Sequence, residues 1–155
     1  MNTFSRHALH LGVLAAGLLS ACGTGEGLPG IVPTMNISSP ANNSTANLSA
    51  NKQIAVNFTT NYTLQAPGTC GATANCGHVY LLVDNTACNS GSLAYNTLVI
   101  ASPAQADLGK CATATGMHTI TLQLRHDDGS PVLNLVNNPV VDTVTITAQS
   151  ASCNA

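Results

Sequence analysis

Beyond its first ten residues the chain holds three histidines, His78, His118 and His126, with Asp84, Asp127 and Asp128 close to them in sequence. Imidazole is a good ligand for copper and zinc, and two histidines with one carboxylate make a credible ligand set. Other chemistry has less to work with. The only Glu is Glu26, near the start, so the facing carboxylates that sugar hydrolysis needs are poorly supplied. No G-x-S-x-G, H-E-x-x-H or P-loop pattern occurs. Asp127-Asp128-Gly129 lacks the spaced oxygens of a calcium loop and reads better as a hairpin turn. A Cys153–histidine nucleophile lacks a fixed partner, because Cys153 lies in a polar tail. Tyr62 and Tyr95 offer a sparse aromatic platform for a sugar. No catalytic residue is assigned, and the chain is expected not to be an enzyme.

The elements that must position these residues are strands. Gln53 to Thr59 alternates, with Ile54, Val56 and Phe58 on one face. His78 to Asp84 sets Val79, Leu81 and Val83 against His78, Tyr80 and Leu82. From Met117 to His126, the residues His118, Ile120, Leu122, Leu124 and His126 share a face, and Val140 to Ala148 repeats the pattern. A period of two is the signature of half-buried strands. Asp128-Gly129 followed by Pro131 predicts a hairpin leading into a short strand over Val132–Val136, and Asn137-Asn138-Pro139 a second turn. No long window shows a helical stripe. Regularly spaced short strands predict an all-β fold, an Ig-like two-sheet antiparallel sandwich of about seven strands. The immunoglobulin hallmark tryptophan is missing, since the chain has none.

This architecture constrains the metal reading. His118 and His126 lie on one strand roughly 26 Å apart at about 3.3 Å per residue, so they cannot share an ion. If the 78–84 and 118–126 strands pair antiparallel, His78 approaches His126 and Asp127, and His118 approaches Asp84 as a second cluster. The first set works only if His78 and His126 point to the same side. The plainer reading makes His118 and His126 the ends of an apolar strand face and lets His78 support a loop. Copper or zinc binding stands as the alternative, and otherwise no cofactor is expected.

Composition narrows the partners. Charged residues make up 6% of the chain, against about 25% in ordinary soluble domains. Arg6, Lys52, Lys110 and Arg125 are the only basic side chains besides histidine, too few to neutralise a phosphate backbone, so nucleic acid is excluded. The formal charge of −2 is too small for electrostatic steering.

Residues 1–21 read as a processing signal. Arg6 supplies a positive start, and Leu11 to Leu19 form an apolar run well short of the roughly 20 residues that span a bilayer. The run ends in Leu19-Ser20-Ala21-Cys22, which resembles the lipobox of bacterial lipoproteins. That resemblance implies cleavage before Cys22, acylation of its thiol with palmitate-type chains, and a membrane anchor. Gly23 in place of an aspartate implies the outer membrane as the default destination. Two or three chains anchor firmly where one does not, at about 0.8 kcal/mol per buried methylene. Residues 22–30, rich in glycine, then form a tether, 31–149 the sandwich domain, and 150–155 a polar tail.

Export permits disulfides. With Cys22 acylated, Cys70, Cys76, Cys88, Cys111 and Cys153 remain, and their connectivity is open from sequence. The preferred pairs are Cys70–Cys76, closing a glycine-rich loop, and Cys88–Cys111, clipping a longer one, each adding about 2–4 kcal/mol. Their spacings match no zinc ribbon or finger, and no C-x-x-C is present.

The segment Cys76-Gly77-His78-Val79-Tyr80-Leu81-Leu82-Val83-Asp84, with Gly116-Met117-His118-Thr119-Ile120-Thr121-Leu122 and His126-Asp127-Asp128-Gly129, is similar to a group of bacterial exported domains. Those domains pair a G-H-x-H-L-x-x-D strand with a G-x-H-T-x-x-L strand. The resemblance spans about Pro67 to Val132 and covers His78, Asp84, His118 and His126. Tyr80 stands where that group often has a second histidine, and Gly129 where another can occur, which removes potential ligands. The resemblance implies a small Ig-like domain with no assigned reaction. Taken together, these features predict a non-enzymatic, lipid-anchored envelope protein serving as a binding or structural module for an envelope partner.

Overall fold

Wherever the sequence alternates with period two, the chain forms strands. The computed structural model describes residues 31–85, 87–89 and 92–151. The expected signal, the expected tether with Cys22, and Cys153 lie outside them. Nine strands follow in order: β1 Met35–Ser39, β2 Ser44–Leu48, β3 Gln53–Thr60, β4 Thr63–Leu64, β5 Cys76–Val83, β6 Thr97–Val99, β7 Ala104–Asp107, β8 Gly116–His126 and β9 Val141–Ser150. One 3-10 turn, Leu108–Lys110, follows β7. β9 extends one residue past the expected end of the domain, to Ser150.

The strands form two sheets, one ordered β1-β3-β7 and the other β2-β9-β8-β5-β4, with β6 also paired to β5. Their inner faces are the apolar halves of the alternation. Ile54, Val56 and Phe58 of β3 and Ala104 and Ala106 of β7 are buried with Val79, Leu81 and Val83 of β5. Ile120, Leu122 and Leu124 of β8 and Val144 and Ile146 of β9 complete that core. Thr119, Thr121, Thr143 and Thr145 alternate with these apolar residues, and Thr121 and Thr143 share a hydrogen bond of 3.0 Å between their hydroxyls. A neutral, threonine-rich outer face is how the sandwich manages with so few charges.

Two features depart from a purely antiparallel meander. β2 pairs with β9 in parallel, and β4 pairs with β5 in parallel. The first follows from a sheet switch. β1 belongs to the smaller sheet, and the chain then turns through Asn42 and Asn43 onto the larger one. Asn42 Oδ1 accepts the Thr145 N–H at 2.8 Å, and the Asn43 N–H donates to the Thr145 carbonyl. Asn43 has φ 60°, a left-handed value that asparagine tolerates.

The strand expected over Val132–Val136 does not form. The segment makes only isolated bridges, Arg125 with Pro131 and Leu133 with Pro139. Pro131 and Pro139 lack the N–H that a continuing ladder needs. Val132 is nonetheless buried as part of the core, while Leu135 and Val136 are exposed. Both expected turns are present: Gly129 (φ 82°) donates to the His126 carbonyl, and Asn137 (φ 58°) to that of Asn134.

The preferred cysteine pairs are the ones formed. Cys70–Cys76 closes the loop before β5, and Cys88–Cys111 ties the loop after β5 to the end of the 3-10 turn.

Candidate functional site

The antiparallel register of β5 and β8 decides what the histidines meet. Val83 pairs with Ile120 and Gly77 with His126. At one end of the pair, the chain leaves β5 through Asp84 (φ 50°) and Asn85 (φ 57°), two successive left-handed residues. Asp and Asn are the non-glycine types that best accept this conformation. The reversal turns the Asp84 carboxylate back onto β8. Oδ1 accepts the Thr119 N–H at 2.8 Å, and Oδ2 lies 2.7 Å from His118 Nδ1. An ionised carboxylate only accepts, so Nδ1 carries the proton and Nε2 presents its lone pair. His118 is 4% exposed, and Nε2 is buried with no hydrogen-bond partner among the described residues. The expected approach of His118 to Asp84 is thus realised.

The same turn brings in two groups that the sequence did not connect to this pair. Cys88 Sγ lies 3.4 Å from Asp84 Oδ2. One donor atom from each of Asp84, Cys88, Cys111 and His118 lies within 4.8 Å of all the others. The two sulfurs are joined as the Cys88–Cys111 disulfide. The loop is held against this end by Asn96, which is 1% exposed. Its Nδ2 donates to the Cys88 and Asp107 carbonyls, and its Oδ1 accepts the Asp107 N–H. No periodicity marks Asn96. A lone Asn between turn residues reads as one more loop position.

At the other end the expected trio does not converge. His78 pairs across the ladder with Arg125, and His126 with Gly77. Because side chains alternate, His78 and His126 point to opposite faces of the sheet. The set His78, His126 and Asp127 is therefore replaced by three separate environments. His78 is fully buried, and neither ring nitrogen has a hydrogen-bond partner among the described residues. Its ring lies 5.1 Å from that of Tyr80, which stacks on Tyr95 at 3.7 Å and lies under the Arg125 guanidinium. Burial lowers the His78 pKa from its ordinary value and Arg125 adds to this, with Asp127 and Asp128 opposing. His126 is exposed, its ring 6.3 Å from that of Tyr62. Asp127 Oδ1 accepts the N–H groups of Thr69 and Cys70, pinning the loop that Cys70–Cys76 closes.

Tyr62 and Tyr95, paired above as a possible sugar platform, have different partners: Tyr95 stacks on Tyr80, and Tyr62 faces His126.

No family model matches the chain, and no curated protein matches it. Among solved structures it is similar to the fibronectin(III)-like modules of Clostridium thermocellum CbhA, at 16% identity and a TM-score of 0.44. The match covers 77% of this chain and 100% of that one.

Proposed function

We propose that this is a non-enzymatic envelope lipoprotein, in which Cys22 is acylated and residues 22–30 tether a β-sandwich that acts as a binding or structural module, by default at the outer membrane. The observation that supports the non-enzymatic part is what the carboxylates do. All five aspartates accept backbone N–H groups: Asp84 from Thr119, Asp107 from Gly109, Asp127 from Thr69 and Cys70, Asp128 from Ser130, and Asp142 from Ile37 and Thr143. A carboxylate so engaged fixes turns and sheet edges.

The anchor is tested by growing cells on an alkyne-tagged palmitate. The wild-type chain is expected to take the label and sediment with membranes, and Cys22→Ser to lose both. An unlabelled wild type, or a labelled Cys22→Ser, refutes the anchor.

Copper or zinc capture is the second reading, and the observation favouring it is the Asp84–His118 pair with a buried, unpartnered imidazole nitrogen. The arm through His78, His126 and Asp127 does not converge on one point, since its imidazoles face apart.

A further inference from the structure

The structure assigns a redox-gated zinc site to Asp84, Cys88, Cys111 and His118, closed while the two cysteines are joined and opened when they are reduced. This inference deepens the metal reading above and does not depend on the anchor.

The donors are of the right kind and in the right place. Two thiolates, one imidazole and one carboxylate form a four-coordinate set suited to Zn²⁺, with bonds of about 2.3 Å to sulfur and about 2.0–2.2 Å to nitrogen and oxygen. Those bond lengths put tetrahedral donors about 3.3–3.8 Å apart. The four groups already lie within 4.8 Å of one another, drawn from three separate segments of the chain. Three of them are held from outside the cluster. Asp84 is fixed by the Thr119 N–H, His118 lies on β8, and the Cys88 carbonyl is bound by Asn96. A ligand set supported in this way needs little reorganisation when an ion arrives. The imidazole donor is Nδ1, 2.7 Å from Asp84 Oδ2: the ion takes the place of the proton these two atoms share, and that proton moves to the buried Nε2, which has no partner among the described residues.

In the oxidised protein the sulfurs are bonded to each other and are not thiolates, so the set lacks its two strongest ligands. Opening it takes two electrons and two protons. A dithiol reductant supplies them by thiol–disulfide exchange and leaves as its own cyclic disulfide, while the S–S bond becomes two S–H groups. Zn²⁺ then binds the two sulfurs and releases those two protons to solvent. The sulfurs part from bonding distance to about 3.8 Å, and the ion takes over the cross-link between the two loops.

The test uses the purified full chain, either oxidised or reduced with a phosphine that supplies electrons without adding thiol ligands. Co²⁺ is the spectroscopic probe, and Zn²⁺ is titrated against a chromophoric chelator. The reduced protein is expected to bind one equivalent, with thiolate-to-cobalt charge transfer and tetrahedral visible bands. Its zinc affinity should exceed that of the oxidised form by more than about 100-fold. Cys70→Ala/Cys76→Ala should keep this behaviour, and Cys88→Ser/Cys111→Ser should lose it. His118→Gln should keep the charge transfer but weaken zinc by about 10–100-fold. Three results overturn the proposal: equal affinity in the two redox states, loss of the signal with the 70/76 pair instead, or a reduced chain that unfolds and regains no β-sheet circular dichroism when zinc is added. Failure of palmitate labelling would leave all of these outcomes unchanged.

Discussion

His78 shows at the scale of one residue how a polar side chain can sit in a fold at a loss. Its imidazole is fully buried, and neither nitrogen has a partner among the described residues. An apolar replacement of similar volume removes an unsatisfied group, which is worth about 1–3 kcal/mol. His78→Leu is therefore expected to raise stability by about 1 kcal/mol in urea unfolding at pH 7. The pH dependence has a defined sign. Burial and Arg125 lower the folded pKa, while the unfolded histidine titrates near about 6.5. The unfolded chain thus binds the extra proton first, and stability falls as pH drops below about 6.5 toward the lowered folded value. Urea midpoints at pH 7 and pH 5 should differ more in the wild type than in His78→Leu, and equal slopes would contradict the assignment. Asn96 is the opposite case, its buried side chain making four hydrogen bonds to Cys88, Thr97 and Asp107. Asn96→Leu leaves buried carbonyls and an N–H unpaired, and should cost about 2–4 kcal/mol in the same measurement.

At the scale of elements, β8 is the central strand of the larger sheet and its partners are closely fitted. Gly77 of β5 faces His126 in the ladder, and a Cβ there would land on the Arg125 carbonyl oxygen. Gly77→Ala is thus expected to push the two strands apart at that end, costing about 3 kcal/mol, at the high end for overpacking. Loss of amide-exchange protection at Val79 and Leu124 would locate the damage. Alternation in 53–59, 78–84, 117–126 and 140–148 made four of the strands legible, because the core-facing apolar residues of each recur at every second position. The remainder was illegible for physical reasons. β4 and β6 are two and three residues long, too short to show a period. β2, STANL, buries only Leu48, so its outer residues carry little pattern. The cluster of Asp84, Cys88, Cys111 and His118 was half legible. Antiparallel pairing alone carries His118 to Asp84, but Cys88 and Cys111 arrive there through two irregular loops whose path no spacing rule describes.

For the whole molecule, the disulfides contribute most where they close the larger loops. Cys88–Cys111 spans 23 residues and Cys70–Cys76 spans 6. The loop-entropy relation gives about 3 kcal/mol for the first and about 2 kcal/mol for the second. Thermal unfolding should therefore fall further for Cys88→Ala/Cys111→Ala than for Cys70→Ala/Cys76→Ala. The reverse order would mean that native contacts, not chain restriction, set their worth.

The parallel pairing of β2 with β9 also has a mechanical meaning. β2 lies near the N-terminal end of the sandwich and β9 near its C-terminal end, and the two run side by side in the same direction over Ser44–Leu48 and Ile146–Ser150. Force applied between the two ends of the domain would load this pair in shear, so that its hydrogen bonds resist together and do not unzip one at a time. Held at those two ends, the sandwich would bear tension along its own axis. Pulled in that direction, it should yield in a single high-force step.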